Sequence, residues 1–115
     1  EENVEVDELD NYISHVQNLK NLVIKIDVQG NELEVIKGGL NTISLASILI
    51  LECSFTSEYE NENPTFSESL KLLSSIDLHP IIFQNYGKKV SNYSFERDVI
   101  FCKKKLLEKI FFKNY

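Results

Sequence analysis

The stretch LVIKIDVQGNELEVIKGG, residues Leu22 to Gly39, decides the fold of this chain of 115 residues. Its first seven residues are apolar apart from Lys25 and Asp27, and they predict a strand with almost no polar face. Gly30 permits a turn, and Asn31 begins a helix. Because open α/β sheets bind ligands at the carboxyl ends of their strands, Asp27 is the first candidate for a functional residue.

A second strand follows this helix and sets the fold class. Gly38 and Gly39 weaken the helix, by up to about 1 kcal/mol each, and are expected to bend or split it. An apolar run from Ile48 to Cys53 then predicts another buried strand, and a polar loop over 55–64 follows. Two apolar strands joined by a helix form a right-handed parallel βαβ unit, so we predict an α/β fold.

The remaining elements are a helix before the first strand and a helix with two strands after the second. Asp10 is positioned to cap the first helix. Thr65 and Glu68 have the spacing of a capping box at the start of the later helix. The third strand spans His79–Phe83 and the fourth Arg97–Lys103. Because no helix separates these two strands, they are expected to pair antiparallel.

The end of the chain, residues 105–115, is predicted to form an amphipathic basic tail. Its apolar residues share one face of a helix, with lysines elsewhere: Leu106, Leu107, Ile110 and Phe111. Packing against its own domain and docking on a partner or a membrane surface both remain open for this tail.

Composition and charge exclude several classes of protein. The net charge of −6, with Arg97 as the single arginine, argues against nucleic-acid binding. No run approaches the ~18 apolar residues of a membrane span, and the acidic start is unlike a signal peptide, so we expect a cytoplasmic protein. Charge is uneven, because residues 1–10 carry six acids and no base, whereas residues 97–115 carry six bases and two acids. Such a basic end could meet an acidic partner or an anionic surface.

The two cysteines and two histidines have no metal-site spacing. Cys53 and Cys102 lie on predicted strands among apolar neighbours, so buried free thiols are expected. His15 and His79 are far apart in the sequence, and structural or surface roles are expected for both. The sequence therefore predicts no metal ligand among these four residues.

The motif KIDVQGNELEVIKGG, with VDELDNYI before it and ILILEC after it, resembles the FkbM family of S-adenosylmethionine-dependent methyltransferases. In that family a segment ending in Leu-Asp precedes a Lys-Ile-Asp-Val-Glu-Gly-x-Glu strand and turn, and the next apolar strand ends in Glu. The matching positions are Leu9, Asp10, Lys25, Ile26, Asp27, Val28, Gly30, Glu32 and Glu52. Gln29 replaces the usual glutamate and removes one charge near the turn.

The resemblance covers residues 3–104 and implies a partial Rossmann-like sheet of the class I methyltransferases. In such sheets the early strands carry a glycine-rich loop and an acidic residue for the cofactor. The glycines of this chain form no GxGxG loop: Gly30, Gly38, Gly39 and Gly87. Residues 1–104 therefore resemble the carboxyl-terminal half of the domain, without its cofactor-loop half. The strand beginning at Leu22 then has an unpaired edge, which favours self-association or pairing with the missing half.

The resemblance also implies methyl transfer to a hydroxyl group of a sugar, polyketide or glycan. A carboxylate could take the hydroxyl proton, or two carboxylates could hold a divalent cation that acidifies it, and the sequence does not decide between them. Adjacent parallel strands lie about 4.8 Å apart, so Asp27 and Glu52 could converge on one ligand as a catalytic pair. Glu32 and Arg97 are candidates for substrate binding, and the segment of Asp10 is expected near the cofactor.

Structural roles compete with these assignments. Asp27 can accept hydrogen bonds from the turn at Gly30, and Glu32 lies in the first turn of a helix, where the helix dipole stabilises an acid. Arg97 and Asp98 can form an ion pair at a strand end. The chain as a whole can also be a non-catalytic interaction module that binds through its strand edge and basic tail. A nucleotide-binding protein is less well supported, because no phosphate-binding glycine loop is present.

Overall fold

The computed structural model describes residues 3–15, 19–55, 65–84, 88–89 and 95–112, and contains short helices around one sheet. The helices are α1 (Leu9–Tyr12, followed by the 3-10 turn Ile13–His15), α2 (Glu32–Gly38), α3 (Leu40–Ser44), α4 (Thr65–Ser75) and α5 (Lys104–Phe111). The strands are β1 (Val23–Ile26), β2 (Ile48–Ser54), β3 (Leu78–Phe83), β4 (Lys88–Lys89) and β5 (Phe95–Lys103).

The sheet is mixed, with the strand order β1-β2-β5-β3. β1 and β2 are parallel, and β5 runs antiparallel to both β2 and β3. These pairings confirm the parallel βαβ unit, the α/β class and the antiparallel pairing of the third and fourth predicted strands. The two-residue strand β4 pairs with β5 and was not predicted. Most of the predicted loop over 55–64 lies outside the described residues.

The core lies on one face of the sheet. Alternate residues of β2 are buried, as expected for a strand with one covered face. The cluster combines these residues with side chains of α2, α3, α4 and the other strands: Ile26, Ile36, Ile43, Leu49, Leu51, Cys53, Leu73, Leu78, Val99 and Phe101. Among the described strands β1 has a neighbour on only one edge. Val23 is 55% exposed, so β1 is less buried than its apolar sequence predicts.

The first helix after β1 is split at Gly39, which confirms the predicted effect of the glycine pair. A Cβ atom at Gly39 would lie 2.7 Å from Leu9 Cδ2 and 3.0 Å from Leu9 Cβ. The missing side chain thus lets α1 approach the junction between α2 and α3 closely. No described helix is long and apolar enough to cross a membrane.

The prediction that Asp10 caps its own helix is wrong. Glu8 occupies the N-cap position of α1, and Asp10 lies inside the first turn of that helix. The Asp10 carboxylate instead caps α3, where it accepts hydrogen bonds from Asn41 and Thr42. A helix with Gly39 at its N-cap has no capping side chain of its own, so a residue from a distant segment satisfies its free N–H groups.

The basic tail forms α5 directly after β5, as its apolar spacing predicts. Leu106 and Leu107 are half-buried, and the helix packs against β5. The end of the helix is different, because Ile110, Phe111 and Phe112 are more than half exposed. The tail therefore packs on its own domain at its start and presents apolar side chains to solvent at its end.

Candidate active site

Asp27 and Glu52 lie where the parallel strands β1 and β2 reach their carboxyl ends. We call this end of the sheet, with Asp27, Glu52 and Asp98, the acidic edge. The last register pair of the parallel strands is Ile26 with Leu51, so Asp27 and Glu52 are the next residues of adjacent strands. Glu52 also pairs directly with Asp98 of β5. Since cross-strand partners share a face, the Glu52 and Asp98 carboxylates lie on the same side of the sheet. The structure therefore brings together the two residues that the sequence identifies as a candidate catalytic pair.

The environment of Glu52 makes its carboxyl group a weaker acid than an ordinary glutamate, with a raised pKa. Partial burial is the largest cause that raises its pKa, and the negative charges of Glu96, Asp27 and Asp98 raise that pKa further. A carboxylate that is desolvated and surrounded by like charges binds a proton more readily than an ordinary glutamate. This is the property that a proton acceptor in an active site requires.

Lys25 contributes a cation to this acidic edge, and no role for it was predicted from the sequence. Its ammonium group lies 3.1 Å from Asp27 Oδ2, and both side chains are about half exposed, at 51% and 43%. The hydrogen bond to Asp27 and the negative charges of Asp27, Asp98 and Glu52 raise the pKa of Lys25. The alternation of a strand gives the signal for this pair, because residues two apart point to the same face.

Glu32 holds the turn that carries Asp27. Its side chain is only 4% exposed, and its two carboxylate oxygens each accept a hydrogen bond from the Gly30 N–H at 3.1 Å. The Val28 N–H donates to the same carboxylate at 3.4 Å. The turn needs this support because Gln29 has a φ of 56°, which is unusual for a side chain with a Cβ. These bonds give Glu32 a structural role, and its predicted contact with substrate stays a prediction.

We expect Glu32→Gln to lower the free energy of unfolding by about 1–3 kcal/mol, because an amide offers one acceptor oxygen in place of two and turns a donor toward the backbone. Chemical denaturation monitored by circular dichroism measures the loss. Glu34→Gln is the matched control, since Glu34 lies on the same helix with an exposed side chain paired to Lys37. The control should change stability by less than about 0.5 kcal/mol. Equal losses in both variants would contradict the role of Glu32.

Arg97 lies on the other face of the sheet from Glu52. In the register of β2 and β5, Arg97 pairs with the buried Cys53, one residue away from the pair of Glu52 and Asp98. Its guanidinium carbon lies 4.6 Å from the centre of the Phe95 ring, a cation–π contact. Its Nε atom is buried without a hydrogen-bond partner among the described residues. The candidate substrate-binding residue Arg97 is therefore not brought to the acidic edge by this fold.

An aromatic cluster that includes Phe95, the ring in contact with Arg97, was not predicted. Phe55 stacks on Phe66 with ring centres 4.6 Å apart, and Phe83 and Phe95 lie 6.1 and 6.5 Å from Phe55. The four rings come from the end of β2, from α4, from β3 and from the start of β5. Phe55 and Phe66 pack against the core, and the spacing of the four phenylalanines in the sequence did not predict the cluster.

Asp10 lies where α1 contacts α3. Its Oδ1 accepts hydrogen bonds from the Thr42 N–H and the Thr42 hydroxyl, each at 2.7 Å, and its Oδ2 accepts one from the Asn41 N–H at 3.1 Å. Burial alone would raise the pKa of Asp10, but the bonds from Thr42 and Asn41 hold it below its ordinary value. Nearness of this segment to a cofactor stays a prediction.

The two cysteines are buried free thiols, as expected. Burial raises the pKa of Cys53 to about 12, so this thiol is un-ionised at neutral pH. His79 Nε2 lies 2.9 Å from Asp77 Oδ1, in an exposed pair. Across the described ranges, no three His, Cys, Asp or Glu side chains are placed to hold a metal ion.

The fold and this edge are compatible with a methyltransferase-like domain, in which carboxylates follow the parallel strands of an α/β sheet. The family model described as the methyltransferase FkbM domain matches residues 1–95. The chain belongs to the FkbM methyltransferase family, which confirms the resemblance seen in its motifs. Neither a curated protein nor a solved structure matches it.

Proposed function

We propose that this chain supplies the acceptor side of an S-adenosylmethionine-dependent O-methyltransferase, with a sugar, polyketide or glycan hydroxyl as the acceptor. The observation that carries the proposal is the juxtaposition of Asp27 and Glu52 at the ends of two adjacent parallel strands. The FkbM family match supports methyl transfer as the reaction. The enzyme would act in the cytoplasm, where free thiols such as Cys53 and Cys102 persist.

Each residue of the acidic edge has a separate role in the reaction. S-adenosylmethionine, when bound, supplies a methyl group on a positively charged sulfur, and an edge rich in carboxylates suits a cation. Glu52, whose pKa is raised by burial and by neighbouring acids, accepts the proton of the acceptor hydroxyl. Asp27 hydrogen-bonds the same hydroxyl and is oriented by Lys25. Glu32 fixes the turn that positions Asp27.

The cofactor would bind largely to another segment. No two glycines of the chain are separated by a single residue, so the GxG pattern of a methionine-binding loop is absent from residues 1–115. We place that loop outside residues 1–115 and assign to residues 1–104 the later half of the domain. The Asp10 segment and the open edge of β1 would face the cofactor half, and Arg97 would act on substrate only if a bound acceptor reaches its face of the sheet.

Two measurements test this assignment. Calorimetric titration of S-adenosylmethionine into the chain alone should show no binding at micromolar concentration. Binding at that concentration would contradict the assignment of cofactor binding to a segment outside residues 1–115. The chain should then be joined to the amino-terminal half of an FkbM methyltransferase and supplied with labelled S-adenosylmethionine and a panel of hydroxylated acceptors. Transfer of label to an acceptor oxygen is the expected result.

The rival function is a non-catalytic interaction module. The edge of β1 that has no neighbour among the described strands favours it, since Val23 of this strand is 55% exposed. The same joined protein distinguishes the two. If it folds and binds S-adenosylmethionine but transfers no label to any acceptor, while the chain alone captures a partner through β1, the module is the correct function.

A further inference from the structure

The end of α5 exposes large apolar side chains. Ile110, Phe111 and Phe112 are 57%, 59% and 63% exposed, and no residue of the helix is buried. Leu106 and Leu107, one turn earlier, are half-buried, and the helix contacts β5. The helix is therefore held at its start while its apolar end projects into solvent.

Lysines flank the apolar face of α5, which Leu106, Leu107, Ile110 and Phe111 form. On a helical projection Lys104 lies beside Phe111, and Lys109 lies on the other side of the apolar face, beside Leu106. Lys104, Lys105 and Lys109 are all exposed, with Glu108 as the single acid of the helix. Residues 103–113 have five lysines and one glutamate, a net charge of +4, in a chain whose total is −6.

We propose that α5 binds the surface of an anionic lipid bilayer, with Ile110 and Phe111 inserted at the level of the headgroups. Lysines on both sides of an apolar face are the arrangement that lets a helix lie in the interface while its ammonium groups contact lipid phosphates. The acids elsewhere in the chain do not prevent this contact, because charges beyond about 10 Å are screened at physiological ionic strength. The inference does not depend on the proposed methyl transfer.

A second copy of the chain is the competing occupant. A groove of about 860 Å³ lies between the amino-terminal segment and α2, and its walls include Asp7, Glu8 and Glu34. These acids could attract lysines of another α5. The same groove also contains Lys37, which pairs with Glu34 at 2.8 Å, so part of its negative charge is already neutralised. The bilayer is therefore the better complement to the lysines of α5.

Flotation with vesicles tests the proposal on the whole chain. We expect binding to vesicles of phosphatidylcholine mixed with phosphatidylglycerol, little binding to phosphatidylcholine alone, and release at high salt. The double variant Ile110→Ser with Phe111→Ser should weaken binding by at least about tenfold. Leu45→Ser is its control, because Leu45 is 50% exposed just after the end of α3 and its change should leave binding unchanged.

Charge is tested separately with two variants of equal net charge. Lys105→Glu with Lys109→Glu should weaken binding by at least about 25-fold, at about fivefold for each lysine lost. Lys20→Glu with Lys71→Glu changes exposed lysines elsewhere and should have a small effect. Absence of binding to the anionic vesicles, or equal losses in both pairs, would overturn the proposal. So would concentration-dependent self-association without lipid that Ile110→Ser with Phe111→Ser abolishes.

Discussion

Asp10→Ala is expected to lower the free energy of unfolding by about 2–4 kcal/mol, a large share of the stability of so small a domain. The change removes the cap of α3, so that the N–H of Thr42 loses its partner, and such a cap is worth about 0.5–2 kcal/mol. The Thr42 hydroxyl also loses Asp10 as its acceptor, and because Thr42 is only 4% exposed this second loss adds about 1–3 kcal/mol. Thermal unfolding should show a melting temperature about 10–20 °C lower.

Asp7→Ala is the control for this variant. Asp7 accepts hydrogen bonds from the Glu8 N–H and the Asn11 side chain, but it is exposed and its bonds stay within its own segment. Its loss should therefore change stability by less than about 0.5 kcal/mol. A similar loss in both variants would show that Asp10 contributes no more than the exposed carboxylate of Asp7 before α1.

The pH dependence gives Asp10 a second signature. Its pKa in the folded chain lies below the ordinary value of 3.8, because the bonds from Thr42 and Asn41 outweigh the effect of burial. The unfolded chain therefore binds this proton more tightly than the folded chain does. The stabilisation is present at pH values above 3.8 and is lost as the pH falls through the folded-state pKa. The unfolding free energies of the wild type and Asp10→Ala should converge under those acidic conditions.

The local elements of this fold are predictable from the sequence, and the long-range ones are not. The strands β1 and β2 follow from their apolar runs, and the break at Gly39 follows from helix propensity. The cap of α3 does not, because its acceptor Asp10 is 31 residues from Asn41 along the chain. A capping pattern in the sequence finds partners three residues apart and misses a cap that is supplied by tertiary packing.

In the candidate site, too, the local features could be predicted from the sequence and the long-range ones could not. Asp27 and Glu52 could be paired from the sequence, because both follow strands of one parallel unit. The contribution of β5 could not, because it depends on β5 inserting between β2 and β3 in a fixed antiparallel register. That register places Asp98 beside Glu52 and moves Arg97 to the opposite face. A shift by one residue would exchange the two, which local pattern does not exclude.

Asp27→Asn and Glu52→Gln are expected to have the largest effects on function. In the joined enzyme each should lower the rate of methyl transfer by about 10²–10⁴-fold, the range that removal of a general base or its partner produces. Stability should change little in Asp27→Asn, because its ion pair with Lys25 is half exposed. Glu34→Gln, an exposed carboxylate on α2, should keep the full rate.

The pH profile separates a proton acceptor from a residue that only shapes the edge. If Glu52 accepts the proton, the rate should rise with pH through its pKa, which burial and neighbouring acids place above the ordinary 4.5. Asp27 is one of those neighbouring acids, so the residual activity of Asp27→Asn should rise at a lower pH than that of the wild type. Glu52→Gln should lose this rise altogether.

Glu52→Gln should also fold with equal or slightly higher stability at neutral pH, because a carboxylate with a raised folded-state pKa loses its stabilising contribution as the pH rises through that pKa. If Glu52→Gln is stable but inactive and the pH profile of Asp27→Asn is shifted, Glu52 is the proton acceptor. If the pH profile is unchanged in both variants, neither residue takes part in the proton transfer.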